Sequence, residues 1–283
     1  MKYLLIIISL LALLYNGLLF YVDIHIDKKD HSAVYNNPHI TWSSRGIYDS
    51  YKTQNSITSF KRAFDAGSMG AEVDCYYDIF LDKFIVSHDR TKKGVEGQYQ
   101  YQLKDGEVLT LEKLFTTLGE GHYFWIDYKN LDRLSTENTL KAIGRLDKIS
   151  SIYNIKERIY LEGSTPNHLQ KYADAGYKAL FAFGPLRENH IFSSISSNFY
   201  KMAYYFYDMS AVAIHYGSID NPKYGEIAQK NLKGIPTFVF HVPNDTALLK
   251  KLAKNKDVRV ILVGRDISVN RADIVREVTP NTQ

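Results

Sequence analysis

Glu72 and Asp74 stand two residues apart inside an apolar run, Met69-Gly-Ala-Glu-Val-Asp-Cys-Tyr-Tyr-Asp78. In a β-strand, residues i and i+2 project to the same face, so the two carboxylates point together. Like charges that close need a proton or a cation between them, and a hard divalent ion with oxygen ligands satisfies that need. A second short run, Phe84-Ile-Val86, delivers His88 and Asp89 at its end. Carboxylates and a histidine at strand ends suit metal-assisted hydrolysis. The competing reading is a strand edge with solvated charges and a histidine that caps a turn, since short matches of this kind are common. Cys75 is the only cysteine. No disulfide and no cysteine-based zinc site can form within the chain. Its place directly after Asp74 turns it to the face opposite the carboxylates, as a small buried hydrophobe.

The elements that must position these groups follow a repeating pattern. Apolar runs at 39–44, 71–77, 123–127, 158–162, 179–183, 211–215, 236–240 and 258–263 read as strands. Between them lie helical patterns. Ile57, Phe60, Ala63 and Phe64 share a face behind the capping residues Asn55 and Ser56, and Gly67 stops that helix. Leu111, Leu114, Phe115 and Leu118 follow Thr110, and further helices are expected over 135–149, after Pro166, over 224–232 and after Asp245. Residues 83–87 form a strand outside the repeat, and 188–209 carry no clear periodicity. Strands alternating with helices imply a parallel sheet with right-handed crossovers. Eight such units over roughly 245 residues predict a (β/α)8 TIM barrel. A doubly wound open sheet is the alternative, but no glycine-rich nucleotide loop follows the first strand. Barrel sites form at the C-terminal strand ends. Ser44 and Arg45, Glu72 and Asp74, Asp127 and Lys129, and Glu162 all fall there.

Residues 4–22 are apolar and uncharged, and 19 residues of helix span about 28 Å, close to a bilayer core. Phe20-Tyr-Val22 closes the run with interface-favouring aromatics. Residues 1–22 are therefore expected to be an uncleaved signal anchor, that is, a transmembrane helix. Cleavage would instead make the protein secreted. The polar segment 23–37 reads as a stalk, 38–270 as the barrel and 271–283 as a tail, with the barrel outside the cytoplasm, periplasmic or extracellular. Net charge is +4, from 35 basic and 31 acidic residues, which is too mild to imply a nucleic-acid partner.

Together, Glu72, Asp74 and Asp127 offer three carboxylates for Mg²⁺ or Ca²⁺. Arg45 and Lys129 can hold a phosphate, with Glu162 beside them at the rim. His88 can move a proton at a scissile oxygen. The implied reaction is phosphodiester cleavage. The competing readings are an ion pair of Lys129 with Asp127 or Glu162, and a capping role for Asp127.

The chain resembles the glycerophosphodiester phosphodiesterase family, within the barrel phosphodiesterases related to phosphatidylinositol phospholipase C. Ser44-Arg45-Gly46 is similar to that family's His-Arg-Gly, Gln54-Asn55-Ser56 to its Glu-Asn-Thr, and Gly70-Ala-Glu-Val-Asp74 to its Gly-x-Glu-x-Asp. His88-Asp89 is similar to its His-Asp, Leu109-Thr-Leu-Glu-Lys-Leu114 to its Thr-Leu-x-x-Leu, Asp127-Tyr-Lys129 to its Glu-x-Lys, and 238–245 to its penultimate-strand segment. The resemblance implies metal ligation by Glu72, Asp74 and Asp127, and acid–base work by His88. It also implies a glycerophosphodiester or phospholipid head group as substrate. Four positions depart from the pattern, the mildest being Asp127, where the family has a glutamate one methylene longer. Ser44 stands where the family has its first catalytic histidine, Gln54 replaces a glutamate, and Phe240 or His241 replaces a tryptophan. Ser44 is carried over as a catalytic-site position with Arg45 and His88, but serine cannot shuttle protons near neutral pH. Losing one member of an acid–base pair costs about 10²–10⁴-fold in rate. His39, His122, His215 and His241 are the histidines that could substitute in space, and the sequence does not place them.

Three functions compete. The first is a membrane-anchored, metal-dependent phosphoric diester hydrolase. The second is a catalytically impaired barrel that binds a phosphorylated ligand. The third is a cyclising, lyase-like route in which a substrate hydroxyl attacks phosphorus.

Overall fold

The computed structural model describes residues 2–89, 92–93, 99–186, 189–223 and 225–264. The expected barrel end at 270 and the tail 271–283 lie outside the described residues.

The strands are β1 (Thr41–Ser44), β2 (Gly70–Asp78), β3 (Lys83–Val86), β4 (Lys92–Lys93), β5 (Tyr99–Gln100), β6 (Tyr123–Tyr128), β7 (Ile159–Gly163), β8 (Lys178–Phe183), β9 (Ala211–His215), β10 (Thr237–Val242) and β11 (Val258–Val263). The helices are α1 (Lys2–His25), α2 (Ile57–Asp65), α3 (Leu111–Leu118), α4 (Thr136–Tyr153), α5 (Pro166–Asp174), α6 (His190–Phe206), α7 (Tyr216–Ile219), α8 (Gly225–Asn231) and α9 (Thr246–Ala253). Eight strands pair in parallel in the order β1-β11-β10-β9-β8-β7-β6-β2, and β1 pairs with β2 to close the ring. The fold is a TIM barrel. β3 adds antiparallel to the outer part of β2, and β4 and β5 form a separate two-stranded ribbon. The stretch 188–209, which had no legible period, contains the long helix α6, capped by Asn189.

Alternation along each strand divides the core in two. One cluster packs between sheet and helices and includes Val73, Cys75, Ile126, Leu161 and Val239. The other fills the barrel interior with Trp42, Trp125, Tyr160, Leu180, Phe238, Val260 and Leu262. Cys75 lies in the outer cluster, away from the carboxylates on β2. Gly70 is required by the interior packing: a Cβ there would lie 2.5 Å from the Trp42 ring.

The expectation of a polar stalk over 23–37 is corrected by the structure. Val22 and Ile26 are buried in the outer core, and Val34 and Tyr35 are buried against the barrel interior. The Tyr35 backbone N–H donates to the Tyr160 hydroxyl at 2.6 Å, and its ring meets Trp42 and Tyr123 edge-on. Apolar residues within a polar stretch took this segment under the barrel. α1 itself is long and apolar enough to cross a membrane. It packs on α6 through Tyr15 against Phe199 and an Asp23–Lys201 ion pair of 2.6 Å.

Candidate active site

The strand register brings the polar residues of separate strands side by side at the C-terminal rim. Ser44 of β1 is level with Glu72 of β2, Asp74 of β2 with Asp127 of β6, and Asp127 with Glu162 of β7. Ligand oxygens of Glu72, Asp74 and Asp127 all lie within 4.8 Å of one another.

Each carboxylate has its own partners. Asp74 is fully buried and receives the Arg45 Nε at 2.7 Å, the Lys129 Nζ at 2.6 Å and the Asn55 Nδ2 at 2.7 Å. Burial alone would raise its pKa, but Lys129 and Arg45 outweigh that cost and hold it below the usual carboxylate range. Glu72 accepts the Ser44 hydroxyl at 2.6 Å. Burial, then the charges of Asp74 and Asp127, push the Glu72 carboxyl up to about 7. Asp127, paired with Lys129, is raised mainly by burial. Glu162 accepts from the Trp125 indole N–H and is raised well above the usual carboxylate range, first by burial and then by Asp127 and Glu72.

A tight turn presents Arg45. Arg45 has φ +59 and Gly46 φ +83. A Cβ on Gly46 would lie 2.5 Å from Ser59, so only glycine lets the turn sit on the start of α2. Ser59 donates its hydroxyl to the Arg45 carbonyl at 3.1 Å and closes a capping box with Ser56.

The structure adds a residue that motif matching did not rank. Asn55, buried with φ +54, donates to the Asp74 carboxylate and accepts the Asp74 backbone N–H at 3.1 Å. An asparagine directly before a helix cap was the available signal, since asparagine tolerates left-handed backbone. Lys104 is a second addition. It is buried, burial lowers its pKa, and Asp74 and Asp89 counter that shift.

β3 returns along β2 so that the Ser87 N–H donates to the Asp74 carbonyl at 3.0 Å. His88 follows directly, partly exposed, with Nδ1 3.0 Å from Asp89 Oδ1. Of the four other histidines considered, His39 precedes β1 and His122 precedes β6, both at the opposite end of the barrel. His122 stacks on Phe64 at 3.8 Å. His215 ends β9 and His241 lies near the end of β10, both at the rim. A polar cleft of about 270 Å³ opens at the rim between Asp127, Lys129, Arg133, Glu162 and Thr165.

No family model matches the chain, and no curated protein matches its sequence. Solved structures do match. A glycerophosphodiester phosphodiesterase from Parabacteroides distasonis aligns with a TM-score of 0.58 and 18% identity, covering 81% of this chain and 93% of that one. One from Agrobacterium tumefaciens aligns with a TM-score of 0.56 and 14% identity, covering 82% and 99%. An Oleispira antarctica phosphodiesterase in complex with the product sn-glycerol-3-phosphate aligns with a TM-score of 0.60 and 12% identity, covering 87% and 100%. The likeness is one of fold: this chain has the barrel architecture found in these phosphodiesterases.

Proposed function

We propose that the protein is a metal-dependent phosphoric diester hydrolase acting on glycerophosphodiesters or lipid head groups. The observation that carries this reading is the convergence of Glu72, Asp74 and Asp127 within 4.8 Å, with Arg45 and Lys129 beside them. The donor set fits a hard divalent cation, Mg²⁺ or Ca²⁺, because carboxylate oxygens are its preferred ligands and the buried, mutually repelling acids gain by its charge. Such a cation, when bound, polarises a phosphoryl oxygen and neutralises developing charge.

Arg45 and Lys129 hold the remaining phosphoryl oxygens, Arg45 through a fork whose Nε is anchored on Asp74. His88, oriented by Asp89, gives a proton to the departing alkoxide. Water adds to phosphorus, the phosphorus–oxygen bond to the alcohol breaks, and the products are a phosphomonoester and an alcohol. The small polar cleft suits a head group. α1 would anchor the barrel to a membrane, with the barrel outside the cytoplasm. Ser44 donates a hydrogen bond from its hydroxyl to Glu72 and so serves metal-ligand positioning, which leaves the first histidine's role unfilled on β1. That observation favours, as second reading, a barrel that binds a phosphorylated ligand without turnover.

The full-length protein in detergent, supplied with Mg²⁺ or Ca²⁺, is expected to release sn-glycerol-3-phosphate or free alcohol from glycerophosphocholine. Glu72→Gln should lower that rate at least about 10²-fold. Silence of the native protein with both metals and with glycerophosphoethanolamine would exclude the hydrolase and leave the binding reading.

A further inference from the structure

We propose that His241 is the second proton-transfer residue of this site, on the wall of the barrel mouth opposite the carboxylates. The inference rests on the hydrolase reading above.

Counting around the closed ring, β10 is four strands from β6, and β9 is four strands from β2. In a ring of eight these are diametric positions. His241 and His215 therefore face the strands that carry Asp127, Glu72 and Asp74 across the mouth. A phosphoryl group held by the carboxylate side would present its free face to them.

The backbone takes His241, which is exposed at the rim, out of the alternation of its strand. Phe238 and Phe240 belong to the barrel interior, and Val239 and Val242 to the outer core. Strict alternation would have put residue 241 outside and 242 inside. Instead the register slips by one: Val239 pairs with Ile261 and Val242 with Val263. His241 is the extra residue of this bulge, and it has φ +56. Bulges at barrel rims re-aim side chains, and a non-glycine residue in the left-handed region is a costly way to hold one.

The surroundings fit a neutral imidazole. His241 meets the His215 ring edge-on at 5.4 Å and 79°, and the Phe240 ring at 5.1 Å. The His215 ring is itself fixed, because its Nδ1 accepts the Gly217 N–H at 3.0 Å. Burial lowers the pKa of His241 first, followed by the charges of His215 on β9, Arg45 beyond β1 and Lys129 beyond β6. A neutral imidazole accepts a proton. In the step assigned to it, one proton of the attacking water passes to His241 as the oxygen–phosphorus bond forms. His88 protonates the alcohol oxygen as its bond to phosphorus breaks. Both histidines re-equilibrate with solvent.

The test uses His241→Gly, because glycine accepts φ +56 without strain and leaves space for free imidazole. The full-length, metal-loaded variant is expected to lose about 10²–10⁴-fold in kcat/KM. Added imidazole should restore at least about tenfold of it, with the low-pH limb of the profile moving to that of the added base. Histidine ring ¹⁵N NMR of the native protein should show His241 shifting when sn-glycerol-3-phosphate is added, independent of turnover. An active native enzyme whose His241→Gly variant keeps its rate, is not rescued by imidazole, or whose His241 ring ignores the phosphomonoester overturns this role and leaves the hydrolase standing. A native protein without turnover on either diester overturns the hydrolase reading and this role with it.

Discussion

The two ends of the barrel are lined by the same inward-facing register and have opposite chemistry. At the N-terminal end the inward residues are Trp42, Trp125, Tyr160 and Phe238, closed from below by Tyr35 and Tyr123. Phe238 meets Tyr160 at 4.9 Å, Trp125 at 5.3 Å and Trp42 at 5.8 Å. Further along, β1, β6 and β7 present Ser44, Asp127 and Glu162, and β2 adds Glu72 and Asp74 beside them. The aromatic end is complete in itself. The acidic end is not, since four clustered carboxyls share Arg45 and Lys129, and three of the four have raised pKa values. Stability resides at the aromatic end, and the acidic end spends part of it. Buried like charges are costly without a partner, and a site that must receive a cation or a phosphate is where such a cost is expected.

Three substitutions test this contrast. The largest effect belongs to the aromatic end. Phe238→Ala should cost about 3–5 kcal/mol in urea unfolding, with kcat of the folded fraction unchanged; a cost below 1 kcal/mol would mean the interior is loosely packed. Gly70→Ala should cost about 1–3 kcal/mol by driving a methyl into Trp42, and Trp42 fluorescence should report the displacement. The effect at the acidic end is of opposite sign. Glu72 binds its proton more tightly folded than unfolded, with its pKa raised from 4.5 to about 7. Its penalty is absent below pH 4.5 and grows as pH rises through about 7. Glu72→Gln should therefore leave stability at pH 4.5 unchanged and raise it at pH 8, by up to about 3 kcal/mol for a shift of that size. Mg²⁺ or Ca²⁺ should stabilise the native protein at pH 8 and not the variant. A variant less stable than native at pH 8 without metal would refute the idea that this end is strained.

The pairing of Glu72 with Asp74 was legible from period-two alternation alone, as was the outward turn of Cys75. Asp127, Lys129 and Glu162 were legible as strand-end residues, because alternation of strands and helices implies a barrel and a barrel gathers its strand ends. Asn55 was harder to read. Its contact with Asp74 depends on a left-handed turn that packs against α2 only once β1 and β2 are adjacent. The segment 23–37 misled because its composition is polar on average, while the two residues that matter, Val34 and Tyr35, are not. α6 was illegible because its serines and aromatics blur the helical period.

Local quantities are written in the order of residues: strand and helix periods, which face each side chain takes, and the apolar length of α1. These depend on neighbours a few residues away. Which histidines share a rim with the carboxylates depends on closure of the barrel. Ring closure sets His215 and His241 across from β2 and β6, and a single-residue bulge turns His241 against the alternation its own strand prescribes. Both are properties of pairing between strands far apart in the chain, where the number of residues between them carries no information about register.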